Sequence, residues 1–296
     1  MPALPLYVIL TPARNESQYI ERTLRSVVAQ TYLPAKWVII DDGSTDNTSE
    51  IARRYAADHP WIEIIAMPKR AERNFAGKVN AFKAGYELVK PLDPQVIVNL
   101  DADLEIVPDH FEYLLRQYEE DLTLGVWGPV FREGDMQYDY RFSNIENVCG
   151  GCQMFRRECF DSIGGYKPMK GGGIDHLAVV SARMKGWKTR TFPEKVCIHN
   201  RAMGTAQLGK IQARFKMGVK DHTLGNHPLW EVSRTIYQMT KRPLLIGGIA
   251  LGAGYVWSSL RGSNTRLDPA VRHFIREEQM RRLGRMLLLK TGQSAA

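Results

Sequence analysis

Along the N-terminal third of the chain, apolar and polar positions alternate in two rhythms. Short Val- and Ile-rich runs, LYVILTP, WVIIDDG, WIEIIAMP and PQVIVNLDAD, read as strands buried on both faces. Between them, ESQYIERTLRSVVAQT sets Ile20, Leu24 and Val27 or Val28 at helical spacing, and TSEIARRYAAD and VNAFKAGYELV follow as helices. Strands alternating with helices predict an α/β fold with a mostly parallel central sheet covered by helices. In such sheets ligands lie outside the carboxyl ends of the strands, where the polar loops TPARNE, DDGSTD and DADL fall together.

From about residue 109 to 200 the pattern is less regular. It contains the helix DHFEYLLRQYEED, an apolar piece GVWGPVF, the glycine cluster GGYKPMKGGG and a helix DHLAVVSARMKG. Glycines beside a site serve either as hinges or close backbone approaches, or as plain surface turns.

The last zone changes character again. LLIGGIALGAGYVWSSL is seventeen residues without a charge, bounded by Lys241, Arg242 and Arg261. That is the short limit of a membrane span, about 17 to 25 residues. Gly248 and Gly252 stand at small-xxx-small spacing, and Tyr255 and Trp257 suit an interface. The segment is expected to contact a membrane, shallowly or as a span, with a buried helix or a homodimer seam as the alternatives. DPAVRHFIREEQMRRLGRMLLLK then opens on Asp268 as N-cap and Pro269 at the first helical position. Its apolar stripe, Val271, Phe274, Ile275, Leu283, Met286 and Leu287, runs beside many arginines, which fits an anionic bilayer or packing on the body of the protein.

Charge sharpens that picture. The net charge is +8, and residues 234–296 hold eleven Lys or Arg against three Asp or Glu, so this segment carries the whole excess. No basic patch is interleaved with aromatics in a nucleic-acid module. Cys149, Cys152, Cys159 and Cys197 make no disulfide framework, and CGGC has no second pair at zinc spacing. The N-terminus lacks a basic stretch before its apolar residues, so a cytosolic location is expected.

Candidate chemistry centres on Asp101 and Asp103 at the end of VNLDAD. Two carboxylates this close repel unless a cation or hydroxyls sit between them, and a divalent ion holding phosphate oxygens is the usual reason to gather them. A solvated turn is the plainer alternative. Asp41 and Asp42 end another strand, Asp46 follows in the same turn, and Lys69, Arg70, Arg73 and Lys78 offer cations for a diphosphate. No G-x-G-x-x-G fingerprint is present, and no G-x-x-x-x-G-K precedes Ser or Thr.

TPARNES, VIIDDGSTDNT, AGKVNAFKAG, VNLDADL, CGGCQMFRRECFDSIGGY and GGGIDHLAVVSARMKGWK occur in this order, and over residues 6–200 the chain resembles family 2 glycosyltransferases of the GT-A fold. The zone after Trp230 is similar to bacterial exopolysaccharide or cell-surface glycan members. The resemblance implies a GT-A catalytic domain over 1–229, with a nucleotide-sugar-binding half at 1–108 and an acceptor-binding half at 109–229. Residues 230–296 would form a helical extension that associates with a membrane or dimerises. It implies that Pro12, Ala13, Arg14 and Glu16 cradle base and ribose, that Asp42 or Asp41 meets the base edge, and that Lys78 serves the donor. Asp101 would approach the ribose or a metal-bound water. Asp103 would ligate Mg or Mn, with His199 beside it and Arg201 clamping the diphosphate, UDP being the expected nucleotide.

The family places Glu-Asp at the start of the helix after a glycine-rich loop, and the Asp takes the acceptor proton. Here the pair is Ile174-Asp175, with Gly186 and an aromatic following in register, so Asp175 would be the base and the missing Glu bears on acceptor orientation. A carboxylate at a helix start is favoured by the helix dipole, though Asp is also a common cap. Cys152, Gln153 and Arg156 would line the acceptor cleft. The implied reaction is an inverting, metal-dependent transfer from a nucleoside-diphosphate sugar to a glycan or lipid-linked acceptor, at the cytoplasmic side of the inner membrane. A sugar-phosphate nucleotidyltransferase and a non-catalytic membrane-associated scaffold are the rivals.

Overall fold

The computed structural model describes residues 3–68, 75–133, 136–137, 145–169, 172–201, 209–262 and 267–293. Lys69, Arg70, Arg73 and Gly171 lie outside them. The chain divides into two compact units, Met1–Ala202 and Met203–Ala296.

In the first unit the expected strands form as β1 (Tyr7–Ala13), β2 (Lys36–Asp41), β3 (Ile62–Ala66) and β4 (Val96–Leu100). β1 pairs in parallel with both β2 and β4, and β2 with β3, so all four carboxyl ends lie at one edge. Five further strands extend the sheet: β5 (Leu104–Glu105), β6 (Leu124–Glu133), β7 (Met136–Gln137), β8 (Cys152–Arg156) and β9 (Lys188–His199). The order is β3-β2-β1-β4-β8-β6-β9-β5, with β7 beside β6.

β8 runs antiparallel to β4, with Leu100 opposite Cys152 and Val96 opposite Arg156. The start of β8 therefore lies at the carboxyl edge of β4, and Arg156 lies at the other edge. β9 runs parallel to β6, and β5 antiparallel to β9 with Leu104 opposite His199. This register returns His199 to the neighbourhood of Asp103.

Alternation along each strand divides the core into two layers. Ile9, Trp37, Ile39, Val96 and Val98 pack with residues of α1 (Ile20–Val28), α2 (Thr48–Asp58) and α4 (His110–Glu120). Val8, Leu10, Val38, Ile40 and Ile97 pack with α3 (Phe75–Val89), α5 (Arg157–Ser162) and α6 (Ile174–Met184). A period of two on the strands and of 3.6 on the helices thus builds helices over both faces of the sheet.

The second unit comprises α7 (Lys210–Thr223), α8 (Pro228–Met239), α9 (Ile246–Leu260) and α10 (Pro269–Gln293). The glycines of the uncharged segment serve packing within the chain. A Cβ on Gly254 would stand 2.0 Å from the Phe215 carbonyl oxygen, and one on Gly218 1.9 Å from that of Leu251, so α7 and α9 touch backbone to backbone. A Cβ on Gly248 would meet Met239 and the Thr235 carbonyl at 2.5 Å, which sets α8 against α9. The small-xxx-small pair therefore faces α8 of the same chain. This packing also places α7 in the helical unit, although the sequence assigns residues up to 229 to the first domain. Among the described residues no helix is long and apolar enough to cross a membrane.

Candidate active site

The loops after β1 and β2 are stitched together by short polar side chains. Asn15 adopts φ 56, its backbone N–H donates to Ser44 Oγ at 3.0 Å, and its Oδ1 accepts from the Thr45 N–H at 2.8 Å. The Glu16 N–H donates to Thr48 Oγ1 at 2.8 Å, and the Ser17 N–H to Asp46 Oδ2 at 3.0 Å. Burial works against the Asp46 charge, yet bonds from Thr48 and Ser17 hold its carboxyl below the ordinary value.

Asp41 is committed to its own turn. Its Oδ1 accepts from the Ser44 N–H at 2.7 Å and its Oδ2 from the Ser49 hydroxyl, so it anchors the DDGSTD turn rather than facing a base. Asp42 is buried beside it, and its N–H bonds the Ala13 carbonyl at 2.8 Å. Pro12 and Ala13 close β1, with the half-buried Arg14 next in the chain.

At the end of β4, Lys78 Nζ reaches Asp101 Oδ1 at 2.5 Å. Burial opposes the Lys78 charge, but Asp101, with Asp175 and Asp103 adding their fields, holds the ammonium above its ordinary value. Burial, with the charge of Asp103, pushes the Asp101 carboxyl up in spite of Lys78. Lys78 therefore serves Asp101 directly, and three carboxylates share its field.

Asp103 sits two residues on, with Oδ2 3.4 Å from His199 Nε2 and 3.6 Å from Arg201 Nε. Burial raises its carboxyl, while the His199 hydrogen bond and the charges of His199, Arg201 and Lys78 pull it below the ordinary value. Arg201 also pairs with the buried Glu16 and lies 5.1 Å from the Tyr19 ring, so Glu16 acts here by fixing Arg201. Asp103 and His199 offer oxygen and imidazole nitrogen, with no sulfur, on a surface that Asp101 makes still more acidic. That donor set fits a hard or borderline divalent ion such as Mn or Mg.

Asp175 stands in the first turn of α6, behind Gly172 at φ 82 and Gly173 at φ 89. These left-handed positions favour glycine and turn the chain sharply into the helix. The Asp175 side chain lies directly against Gly150, where an added Cβ would come within 2.4 Å of Oδ2. Gly150 is itself tied to β4, its carbonyl accepting from Asn99 Nδ2 at 2.6 Å, and the Asp101 N–H donates to the Gly151 carbonyl at 2.7 Å. The GG turn thus lies between the two acids, hydrogen-bonded to the Asp101 backbone and in van der Waals contact with the Asp175 side chain.

The three residues expected in an acceptor cleft are placed elsewhere. Arg156 is buried at the far end of β8, where it bonds the Leu124 carbonyl at 3.0 Å and the Tyr118 carbonyl at 2.7 Å and covers the Tyr118 ring. Cys152 is fully buried on the opposite face from Gln153, its Sγ 4.0 Å from His110 Nε2, with Cys197 3.7 Å from the same nitrogen. All four cysteines are free, and burial pushes the Cys149 thiol up to about 12, so Cys149 offers no ready thiolate.

Gln153 is fully buried as well, and its amide donates to the Val148 carbonyl at 3.1 Å and to that of Asp175 at 3.4 Å. Tyr166 donates to its Oε1 at 2.6 Å. Gln153 therefore positions the helix start that carries Asp175. Asn99, Gly150 and Tyr166 were not singled out from sequence, although GGC and IGGY sit inside stretches that carry the resemblance.

A sheet whose carboxyl edge gathers Asp42, Lys78, Asp101, Asp103, Asp175, His199 and Arg201 can bind an anionic ligand beside a cation and hold a carboxylate near it. Comparison with known proteins bears on the fold and on the part of this edge that precedes residue 165. The chain is 31% identical to a chondroitin synthase of Pasteurella multocida over 121 residues, which are 41% of this chain and only 12% of that protein. A mannosyltransferase from Pyrobaculum calidifontis, solved with GDP-Man and Mn2+, superposes with a TM-score of 0.58 at 19% identity, covering 99% of this chain and 81% of the other. Staphylococcus aureus TarS, solved with UDP-GlcNAc, superposes at 0.53 and 14% identity over 88% of this chain and 74% of the other. These superpositions show the GT-A fold. The sequence model described as glycosyl transferase family 2 matches residues 8–164, more than half of the chain, from β1 through the DAD strand end and the GG turn. The chain therefore belongs to glycosyltransferase family 2.

Proposed function

We propose that this chain transfers a sugar from a UDP-sugar to a hydroxyl of a glycan or lipid-linked saccharide, inverting the anomeric centre, with Asp175 as the base. The observation that carries the reading is the Asp101–Gly150–Asp175 arrangement. One carboxylate is neutralised by Lys78 at the strand end, and a second is fixed across a glycine turn from it. The first would face the donor and the second the acceptor. Asp175 would accept the proton from the attacking hydroxyl as its oxygen bonds the anomeric carbon and the bond to the diphosphate breaks.

Asp103 and His199 would hold a divalent ion, which when bound supplies positive charge to the departing diphosphate. Arg201, fixed by Glu16, and Lys78, fixed by Asp101, would add cationic donors at the same edge. Asp42 would meet the base edge, with Pro12, Ala13 and Arg14 along the nucleoside. With the Cys152 side chain buried in the core and Arg156 at the other end of β8, the acceptor would be bounded by the GG turn and the start of α6 instead. Among the described residues no second carboxylate is assigned as a nucleophile, which disfavours a double displacement.

The test is titration of UDP, GDP, CDP and dTDP, with and without Mn, into wild type, Asp103→Ala and Asp175→Asn. The expected result is Mn-dependent binding of UDP that Asp103→Ala loses and Asp175→Asn retains. Donor turnover should fall by about 10³ or more in Asp175→Asn. Turnover that survives Asp175→Asn would overturn the assignment of the base.

A further inference from the structure

The second unit leaves a large apolar surface that its own packing does not cover. Of the 21 exposed large apolar side chains among the described residues, eleven fall between Leu229 and Leu260. Soluble surfaces rarely gather so many in one place, and a contiguous patch of this kind marks an interaction site.

The register shows that seven of them, on α8 and α9, share one side. Gly248 of α9 meets Met239 and Thr235 of α8, and Gly252 meets Thr235, so the two helices run antiparallel in contact. On α9 the exposed Ile246, Ile249, Val256 and Leu260 recur at helical spacing, about a quarter-turn from that contact. On α8 the exposed Leu229, Val232 and Ile236 form a stripe about a quarter-turn in the same sense. For antiparallel neighbours these rotations point to the same side of the pair. Leu244 and Leu245, in the connection between the helices, are 61% and 62% exposed and continue the face around its tip.

Charge selects the occupant. No Asp or Glu occurs from residue 232 to 267, while Arg234, Lys241, Arg242, Arg261 and Arg266 do. Arg234 is paired with Asp221 at 2.8 Å, and the other described cations, Lys241, Arg242 and Arg261, stand at the two ends of the stripe. Lys241 Nζ lies 4.9 Å from the Tyr237 ring centre, and the Arg261 guanidinium 4.5 Å from that of Trp257. A cation over an amphipathic ring at each end of an apolar stripe suits the boundary between acyl chains and headgroups. A helix of 15 residues is roughly 22 Å long, shorter than the hydrocarbon core of about 30 Å, so it suits lying in the plane.

We infer that the α8–α9 face is a docking surface for an anionic lipid bilayer, entered shallowly with both helices parallel to the membrane. Apolar burial supplies the anchoring, and the cations select anionic headgroups such as those of the cytosolic leaflet. The inference rests on the helical unit alone and stands apart from the donor chemistry proposed above.

The test uses the full chain and flotation with vesicles of phosphatidylcholine, alone or with about one-third phosphatidylglycerol. Wild type should float with the anionic vesicles and bind the neutral ones at least about tenfold more weakly, the difference shrinking in high salt. The double substitution Ile249→Glu, Val256→Glu should weaken anionic binding by about tenfold or more. Lys241→Glu and Arg261→Glu should each weaken it by about fivefold. Both apolar positions are exposed, so melting should be unchanged. If the Glu variant melts early, Ile249→Ser, Val256→Ser gives the same comparison with less charge. No flotation of wild type at low salt, or flotation that neither apolar variant alters, overturns the inference. So does a dimer in sedimentation velocity that Ile249→Glu splits without any vesicle binding, which would make the face a seam between two copies.

Discussion

Replacing Gly150 by Ala tests the site at its tightest contact. An ideal Cβ there would lie 2.4 Å from Asp175 Oδ2 and 2.6 Å from Asp175 Cβ. An ordinary carbon–oxygen contact needs about 3.3 Å or more, so something must give by about 0.9 Å. The backbone on the Gly150 side is pinned by the Asn99 amide and by the bond from Asp101 to Gly151. The yielding group is therefore the Asp175 carboxylate, or the first turn of α6 with it. A displacement near 1 Å at a reacting group costs about 10² in rate. Gly150→Ala should lower kcat by about that factor while leaving the Kd for UDP with Mn within about twofold, because the donor groups are on the other side of the turn. Steady-state turnover and isothermal titration of the same preparation measure both. A variant whose kcat stays within about threefold of wild type would refute the reasoning, because Asp175 would then be free to move without consequence.

The remaining expectations concern stability and read out by melting. Burial, with the charge of Asp221 adding, pushes the Glu231 carboxyl up to about 7 from 4.5, against the pull of Arg234. The folded state then keeps a proton that the unfolded state releases, so stability is fullest below about pH 4.5 and is lost as pH rises towards 7. Glu231→Gln should flatten that fall and stabilise the protein by about 1–3 kcal/mol at pH 8, seen as a higher Tm there and little change at pH 5. Arg156→Met should cost about 3 kcal/mol, from buried carbonyls left without their cationic donor, and leave UDP affinity unchanged in titration. Gly254→Val should push α7 from α9 and cost about 1–3 kcal/mol or more, visible as loss of the helical unit's cooperative unfolding.

The strands and helices before residue 103 are legible in sequence because parallel strands buried on both faces become nearly continuous Val and Ile runs, as in YVIL and WVII. The later strands are not. β8, CQMFR, holds Gln153 and Arg156 among its fully paired positions, and its five residues are all buried because the fold supplies partners for those polar groups. β9 carries Pro193 and several exposed residues, and its ladder with β6 is irregular between Pro129 and Val130. Neither strand announces itself by hydrophobicity, yet both bring site residues to the carboxyl edge.

Sequence by itself determined the α/β class, the order of the first four strands and helices, the acidic ends of β2 and β4, the family resemblance and the cationic tail. Those follow from local periodicity, residue chemistry and spacing, which need no long-range contact to be read. Tertiary structure alone decided which groups work together. It turned Cys152 and Arg156 into the interior, gave Asp41 to its own turn, tied Lys78 to Asp101, and brought His199 to Asp103 through antiparallel register. It also consumed the glycines of α9 in packing against α7 and α8, leaving the opposite apolar stripe exposed. The reason is physical: a side chain's role depends on which face its strand or helix presents and which buried donors and carbonyls must be satisfied, and both are fixed only when distant segments pack.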